Sequence, residues 1–276
     1  MSLFITSINS GSNGNCYYVG NESEAVLIDV GISCKEIEAR MRRLQLPIEK
    51  VKAIFISHEH VDHIRGAAQI SKKYFLPVYI KPRTYKHSGI HLDRAFVHNF
   101  NVNEKIKIGN LTITPFDKHH DAQDPVSFVV EHQGIKAGVI TDIGIACKRV
   151  IHYFKQCHAC FLESNYDEQL LHEGPYPLRL KQRISGGSGH ISNTQALELF
   201  VKHKPKYMSH LLLSHLSKNN NHPDIVQQLF NQYAGEVKII VASRDEESPV
   251  FEIAHHTKSE IIPLAVKKEM VQLNLF

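Results

Sequence analysis

Ile54-Phe55-Ile56-Ser57-His58-Glu59-His60-Val61-Asp62-His63 is an apolar, β-branched run that stops abruptly at three histidines and a carboxylate. The run reads as a buried strand. The His-x-His-x-Asp-His cluster at its end reads as a strand-to-helix turn. His58 and His60 can turn inward together there, while Asp62 and His63 project towards a neighbouring point. Neutral imidazoles and carboxylates are ligands for Zn or similar divalent ions. Four ligands within six residues exceed what one tetrahedral ion takes from so short a loop. Two ions are therefore expected, each completed by residues from elsewhere. The competing reading, a histidine-rich surface loop that binds nothing, does not account for the cluster's place at the end of a buried strand.

Working outward, the same event recurs. Towards the N-terminus, residues 3–30 predict three short strands. The last of them, Ala25 to Val30, carries Asp29 near its end, where a carboxylate can orient a metal-ligating histidine from behind. Between the first two strands, Ser10-Gly11-Ser12-Asn13-Gly14-Asn15 is either a plain hairpin turn or a backbone cradle for an anion, with Ser12, Asn13 and Asn15 as substrate contacts. Ser33 with Glu36 forms a capping box for a helix over 34–44. Towards the C-terminus, a helix is expected over 63–74 and strands over 105–131, with His119 and His120 in the segment 116–125. Ile135 to Ile140 is a further strand, followed by Asp142. A strand over 158–163 precedes helical pieces at 166–184, broken by Gly174, Pro175 and Pro177. Gly186-Gly187-Ser188-Gly189 delivers His190 to the start of a helix over 192–203. An apolar strand from Met208 to Leu213 then leads to His215. A helix and strands over 237–242 and 249–254 complete the series. Apolar strands thus end in metal-type ligands four times: at the 58–63 loop, near His120, at Asp142 and at His215.

The 276 residues, 42% apolar and 22% charged, suit a globular domain with a substantial core. No apolar run approaches the ~20 residues needed to span a bilayer. The N-terminal residues show no basic or apolar signal-peptide region, and five cysteines show no disulfide spacing, so a reduced cytoplasm is expected. Cys157-His158-Ala159-Cys160 runs into Phe161-Leu162 and reads as buried strand cysteines. The net charge of +4 is weak support for a polyanionic partner.

In order along the chain, Asp29, the 58–63 loop, His120, Asp142 and His215 resemble the ligand series of the metallo-β-lactamase superfamily. The closest likeness is to its YycJ (WalJ)-like branch, grouped with RNase Z-, RNase J- and PhnP-like phosphodiesterases. It rests on Ser10 to Cys16, His120-Asp121-Ala122 and Leu162-Glu163-Ser164-Asn165-Tyr166-Asp167. Further matches are Gly174-Pro175-Tyr176-Pro177, Gly189-His190-Ile191-Ser192-Asn193 and His215-Leu216-Ser217-x-Asn219-Asn220. The resemblance implies an α/β (α+β) chain folded as a four-layer αββα sandwich, with a hydrolase domain over 1–258 and a tail over 259–276. It implies one ion on His58, His60 and His120, a second on Asp62, His63 and His215, and Asp142 bridging them. His119 competes with His120; His120 fits the branch's pattern. Asp62 and His190 are the expected catalytic residues, His190 as donor to the leaving oxygen; the alternative for His190 is an ordinary helix-start histidine.

The implied activity is a phosphodiesterase with two divalent ions (Zn or Mn, with Fe also permitted), a bridging hydroxide attacking phosphorus. A 5′-to-3′ exonuclease, on DNA rather than RNA, is the first reading. A small-molecule cyclic phosphodiesterase and a tethered partner protein with structural metals are the alternatives. Asn220, Asn221, His222 and Lys181 are either substrate contacts or solvated polar residues. Gln272-Leu273-Asn274-Leu275-Phe276 resembles the peptide by which bacterial replication and repair proteins dock on the DNA sliding clamp, with Gln272, Leu273, Leu275 and Phe276 as anchors. Its alternative is an unremarkable apolar end.

Overall fold

Alternation of apolar residues along the strands builds two stacked sheets in a computed structural model that describes residues 2–255. The first sheet contains β1 (Ser2–Asn9), β2 (Cys16–Gly20), β3 (Ala25–Ile28), β4 (Val51–Phe55), β5 (Val78–Tyr79) and β6 (Val97–His98). The second contains β7 (Ile106–Ile108), β8 (Leu111–Asp117), β9 (Val126–His132), β10 (Ile135–Ile140), β11 (Ala159–Glu163), β12 (His210–Ser214) and β13 (Lys238–Val241). The last strand, β14 (Phe251–Ala254), returns to the first sheet and pairs antiparallel with β1. Strands β3 to β6 run parallel, as do β10 to β13.

The central strands serve two cores. Val26, Ile28, Ala53 and Phe55 face the other sheet, where they meet Phe128, Val139, Phe161 and Leu212. Tyr17 lies 4.9 Å from Phe161 and Phe55 5.7 Å from Phe128, ring centre to ring centre. Burying each such side chain contributes about 1.5–3 kcal/mol, which fixes how one sheet sits on the other. Ala25, Leu27, Ile54 and Ile56 face outward, against α1 (Cys34–Arg43), α2 (Val61–Ile64) and α3 (Ala67–Tyr74). The outer face of the second sheet is covered by α5 (Lys148–Phe154), α8 (Asn193–His203) and α9 (Pro223–Asn231). The four layers match the αββα expectation. Three further helices, α4 (Pro82–Ser88), α6 (Glu168–Glu173) and α7 (Leu178–Ser185), lie in the connections.

The capping box on α1 is present, and α8 carries another between Ser192 and Gln195. One expectation is corrected, and two helices are added. The helix expected over 63–74 is split at Gly66, whose N–H bonds the Val30 carbonyl at 2.8 Å and whose missing Cβ lets the backbone press on the Ile32 carbonyl. Helices α4 and α5 were not anticipated. The expected boundary at 258, and Gln272, Leu273, Leu275 and Phe276, lie outside the described residues. No helix among the described residues is long and apolar enough to cross a membrane.

Candidate metal centre

Three of the strand-end residues adopt left-handed backbone: Asp29 after β3 (φ 58°), Asp142 after β10 (φ 54°) and His215 after β12 (φ 58°). Such conformations cost about 1 kcal/mol or more for non-glycine residues and persist only where the surroundings enforce them. Each turns its side chain off the strand axis into one polar hollow at the edge of the sandwich. The 58–63 loop reaches that hollow because Gly31 lets it approach. A Cβ on Gly31 would overlap the Asp62 carbonyl oxygen, which instead accepts from Asn15 N at 2.7 Å.

Proton wiring shows where lone pairs point. Asp29 accepts from Ser57 Oγ at 2.7 Å, so Ser57 Oγ accepts in turn from His58 Nδ1 at 2.8 Å. Asp29 also accepts from His63 Nδ1 at 2.7 Å. His120 Nδ1 donates to the Gly189 carbonyl at 3.0 Å. His58 Nε2 and His120 Nε2 are thereby left as acceptors, as is His63 Nε2 whenever His63 is neutral. His58 Nε2 and His120 Nε2 lie 3.0 and 3.3 Å from His60 Nδ1. Three convergent imidazole lone pairs repel unless a cation sits among them. Nitrogens tetrahedrally placed ~2.0–2.1 Å from Zn are about 3.3–3.4 Å apart, close to these spacings.

A second set lies beside the first. Asp62 Oδ2 is 3.5 Å from His63 Nε2 and 3.6 Å from His215 Nε2. Asp142 stands between the sets, with Oδ2 3.5 Å from His63 Nε2, and Oδ1 3.4 Å from His215 Nδ1 and 3.9 Å from His120 Nε2. Asp142 Oδ2 and His215 Nε2 are buried with no hydrogen-bond partner, which is where donors to an ion are expected. His58, His60 and His120 form one group able to hold an ion, and Asp62, His63 and His215 another. The cluster is compatible with a dinuclear metal site. His119 is exposed and His120 buried, which separates the two neighbours.

A profile of the Metallo-beta-lactamase superfamily matches residues 10–142. The exodeoxyribonuclease YycJ of Bacillus anthracis is 33% identical over 241 residues, covering 86% of this chain and 90% of that protein. The exodeoxyribonuclease WalJ of Streptococcus pneumoniae serotype 2 is 30% identical over 258 residues, covering 88% and 96%. The chain belongs to the metallo-beta-lactamase superfamily. Among solved structures, the metallo-beta-lactamase fold protein YhfI from Bacillus subtilis superposes with a TM-score of 0.69 at 16% identity, over 91% of this chain and 100% of that one. Superfamily membership and the exonuclease relatives make the protein a metal-dependent hydrolase of nuclease or phosphodiesterase type.

Electrostatics in this superfamily member divide the histidines into two kinds. Burial, with His63 and Lys118 adding, pushes His58 well below its usual range. Burial, with Lys118 and His190 adding, pushes His120 down to about 3. Both stay neutral and offer lone pairs. Burial also opposes charge on His63 and His215, but their carboxylate neighbours outweigh it. Asp142, Asp29 and Asp62 hold His63 well above its usual range, and Asp142, Asp62 and Glu163 lift His215 to about 10. Asp29, Asp62, Asp142 and Glu163 surround a single buried lysine, Lys118, so the hollow carries three negative charges in excess. Divalent cations offset that excess; without them, protons on His63 and His215 offset two of the three charges.

Glu163 was quoted in the sequence only as part of a motif, and the structure gives it a role. It is fully buried at the end of β11. Its Oε1 accepts from His190 Nδ1 at 2.8 Å, His215 Nδ1 at 3.0 Å and Asp142 N at 3.2 Å; its Oε2 accepts from Ile143 N at 2.8 Å and Ile191 N at 3.3 Å. His190 and His215 hold it ionised against burial, down to about 2. A carboxylate closing an apolar strand, the signal already used for Asp29, could have found it. His190 stands over the cluster with its ring 5.3 Å from that of His120 and 5.1 Å from that of His215, and 20% of its side chain is exposed.

The expected substrate contacts divide. Ser12 is exposed and Asn13 half-buried on the outer turn, where Gly14 N bonds the Gly11 carbonyl at 2.9 Å. Asn15 and Asn220 are fully buried, which corrects the expectation of open contact. Asn15 Nδ2 bonds His63 Nε2 at 3.1 Å and Asp62 Oδ2 at 3.3 Å, so it steadies the loop from inside. Asn220 Nδ2 bonds Ser217 Oγ at 3.2 Å.

Proposed function

We propose that this protein is a dinuclear metal-dependent exonuclease that degrades DNA from the 5′ end in the cytoplasm. The observation that carries the reading is the convergence of two ligand sets on Asp142 beneath His190, which presents one side to solvent. The two relatives described above are named exodeoxyribonucleases, which favours DNA over a small diester.

In this reading His58, His60 and His120 would hold one ion and Asp62, His63 and His215 the other, with Asp142 within reach of both sets. When bound, two cations such as Zn or Mn, or Fe, supply an activated water and neutralise charge growing on the phosphoryl oxygens. Asp29, through Ser57 and His63, fixes the tautomers that face the ions. Asp62, held ionised by His63 and His215, is placed to orient the attacking water by accepting a hydrogen bond from it. As the bond from phosphorus to the leaving oxygen breaks, His190 gives that oxygen its proton. Glu163 orients His190 by accepting from its Nδ1. Ser12 and Asn13 face the incoming strand from the opposite turn.

Digestion of 5′- and 3′-end-labelled single- and double-stranded DNA and RNA by Mn- or Zn-loaded protein tests this, with Asp142→Ala as control. Short products released from the 5′ end of DNA, and absent with the variant, are expected. Cleavage of bis-p-nitrophenyl phosphate without cleavage of any polymer would replace the reading with a small-molecule phosphodiesterase. We further propose that Gln272-Leu273-Asn274-Leu275-Phe276 docks on a sliding clamp. Clamp retention that survives deletion of 272–276 removes that part.

A further inference from the structure

Helix α7 carries Arg179, Lys181 and Arg183 and no acidic residue, and none of its residues is buried. A helix that packs on a core buries a stripe; α7 leaves Leu178 70% exposed and is secured at its two ends instead. Ahead of its first turn, the Tyr176 hydroxyl accepts from Asn219 Nδ2 at 2.9 Å, four residues beyond His215. In its last turn, Arg183 Nε donates to Asp121 Oδ2 at 2.6 Å, beside His120. The Ile184 carbonyl accepts from His190 N at 2.8 Å, and Gly189 presses on the Arg183 and Ile184 carbonyls where no side chain fits. Eight residues rise about 12 Å. The helix therefore arches from the His215 loop to the His120 loop, along the side on which His190 meets solvent.

We propose that α7 is a basic strap that grips the backbone phosphates of a single nucleic-acid strand as it enters the metal centre. This rests on the nuclease reading. Charge complementarity selects the occupant: three cations in one short helix face no carboxylate of their own element. Of the carboxylates on neighbouring α6, Glu168 is taken by Ser192 and Thr194, and Glu173 by Gln169. Asp121 is taken by Arg183, and Lys181 Nζ bonds the His172 carbonyl at 2.5 Å, a contact that a phosphate oxygen can replace. Tyr176 and exposed Leu178 at the start of the strap offer flat and apolar surface to bases, the usual companion of a cationic track on single strands.

Full-length, metal-loaded protein is titrated with a fluorescein-labelled, nuclease-resistant phosphorothioate oligothymidylate over a series of salt concentrations. Each cation lost from a single-strand phosphate lowers the slope of log affinity against log salt by about 0.7. Arg179→Ala with Lys181→Ala is therefore expected to lower it by about 1.4 and to raise KM for oligonucleotides, with kcat at saturation and the melting temperature held. The charge-preserving pair Arg179→Lys with Lys181→Arg is expected to keep the wild-type slope. An alanine pair with the wild-type slope overturns the strap, as does an equal loss of slope on fully duplex DNA. Wild-type protein that cleaves bis-p-nitrophenyl phosphate yet neither binds nor degrades any polymer overturns the nuclease reading beneath it.

Discussion

Replacing Glu163 by glutamine changes one atom in a carboxylate that accepts five hydrogen bonds in the dark of the fold. Oε1 takes three donors and Oε2 takes two. Whichever way the amide is turned, its NH2 replaces an oxygen and faces at least two N–H groups that lose their acceptor. Leaving a buried donor unpaired costs about 1–3 kcal/mol, so after relaxation a loss of about 3 kcal/mol is expected. For a chain of this size that lowers the melting temperature by roughly 6–12 °C and leaves the protein folded at room temperature. The chemical effect is larger. Without the carboxylate, His190 loses the acceptor that holds its ring in place, and losing a positioned general acid costs about 10²–10⁴-fold in kcat. Scanning calorimetry, metal analysis and steady-state cleavage of an end-labelled oligonucleotide would measure the three effects separately. The expected pattern is a kcat fall with KM little changed. A variant that melts within about 2 °C of wild type and keeps its kcat would falsify the assignment of Glu163 as anchor of both histidines.

Other perturbations bear on the same hollow. His215 is lifted from its ordinary 6.5 to about 10, so in chelator-stripped protein its contribution is full below pH 6.5 and is lost as pH rises through 10. Urea unfolding of stripped protein should therefore weaken across that window by several kcal/mol, on the order of 5, while metal-loaded protein stays level; parallel curves would contradict the charge balance argued above. Asp29→Asn should weaken metal binding by about 10–100-fold, because Asp29 sets the tautomer of His63 without touching an ion, and competition with a chromogenic chelator reads this directly. Gly31→Ala should cost about 3 kcal/mol or more and abolish metal uptake, since the added methyl meets the Asp62 backbone rather than a movable side chain. An alanine variant that loads two ions normally would show that the 58–63 loop tolerates a different path.

Much of the centre was legible because its chemistry is written locally. A run of β-branched residues ending in His58, His60, Asp62 and His63 needs no partner to announce a strand and its ligands. The same holds for Ile135 to Asp142 and for the strand before His215. Ser33 with Glu36 marks a helix start within four residues. What the sequence by itself determined was therefore which strands end in ligand-type side chains, and hence the superfamily. Tertiary structure alone decided how those ends meet. Neighbouring His119 and His120 differ in burial only because one side of that loop faces the hollow. Asn15 looked like an exposed turn residue and proved to be an internal brace for Asp62 and His63. Glu163 gained its role from His190 and His215, 27 and 52 residues away, and β14 found β1 across nearly the whole chain. The reason is physical. Side-chain type and period are set residue by residue, whereas register, twist and the left-handed turns at Asp29, Asp142 and His215 are set by the stacking of two sheets, an energy no local stretch contains.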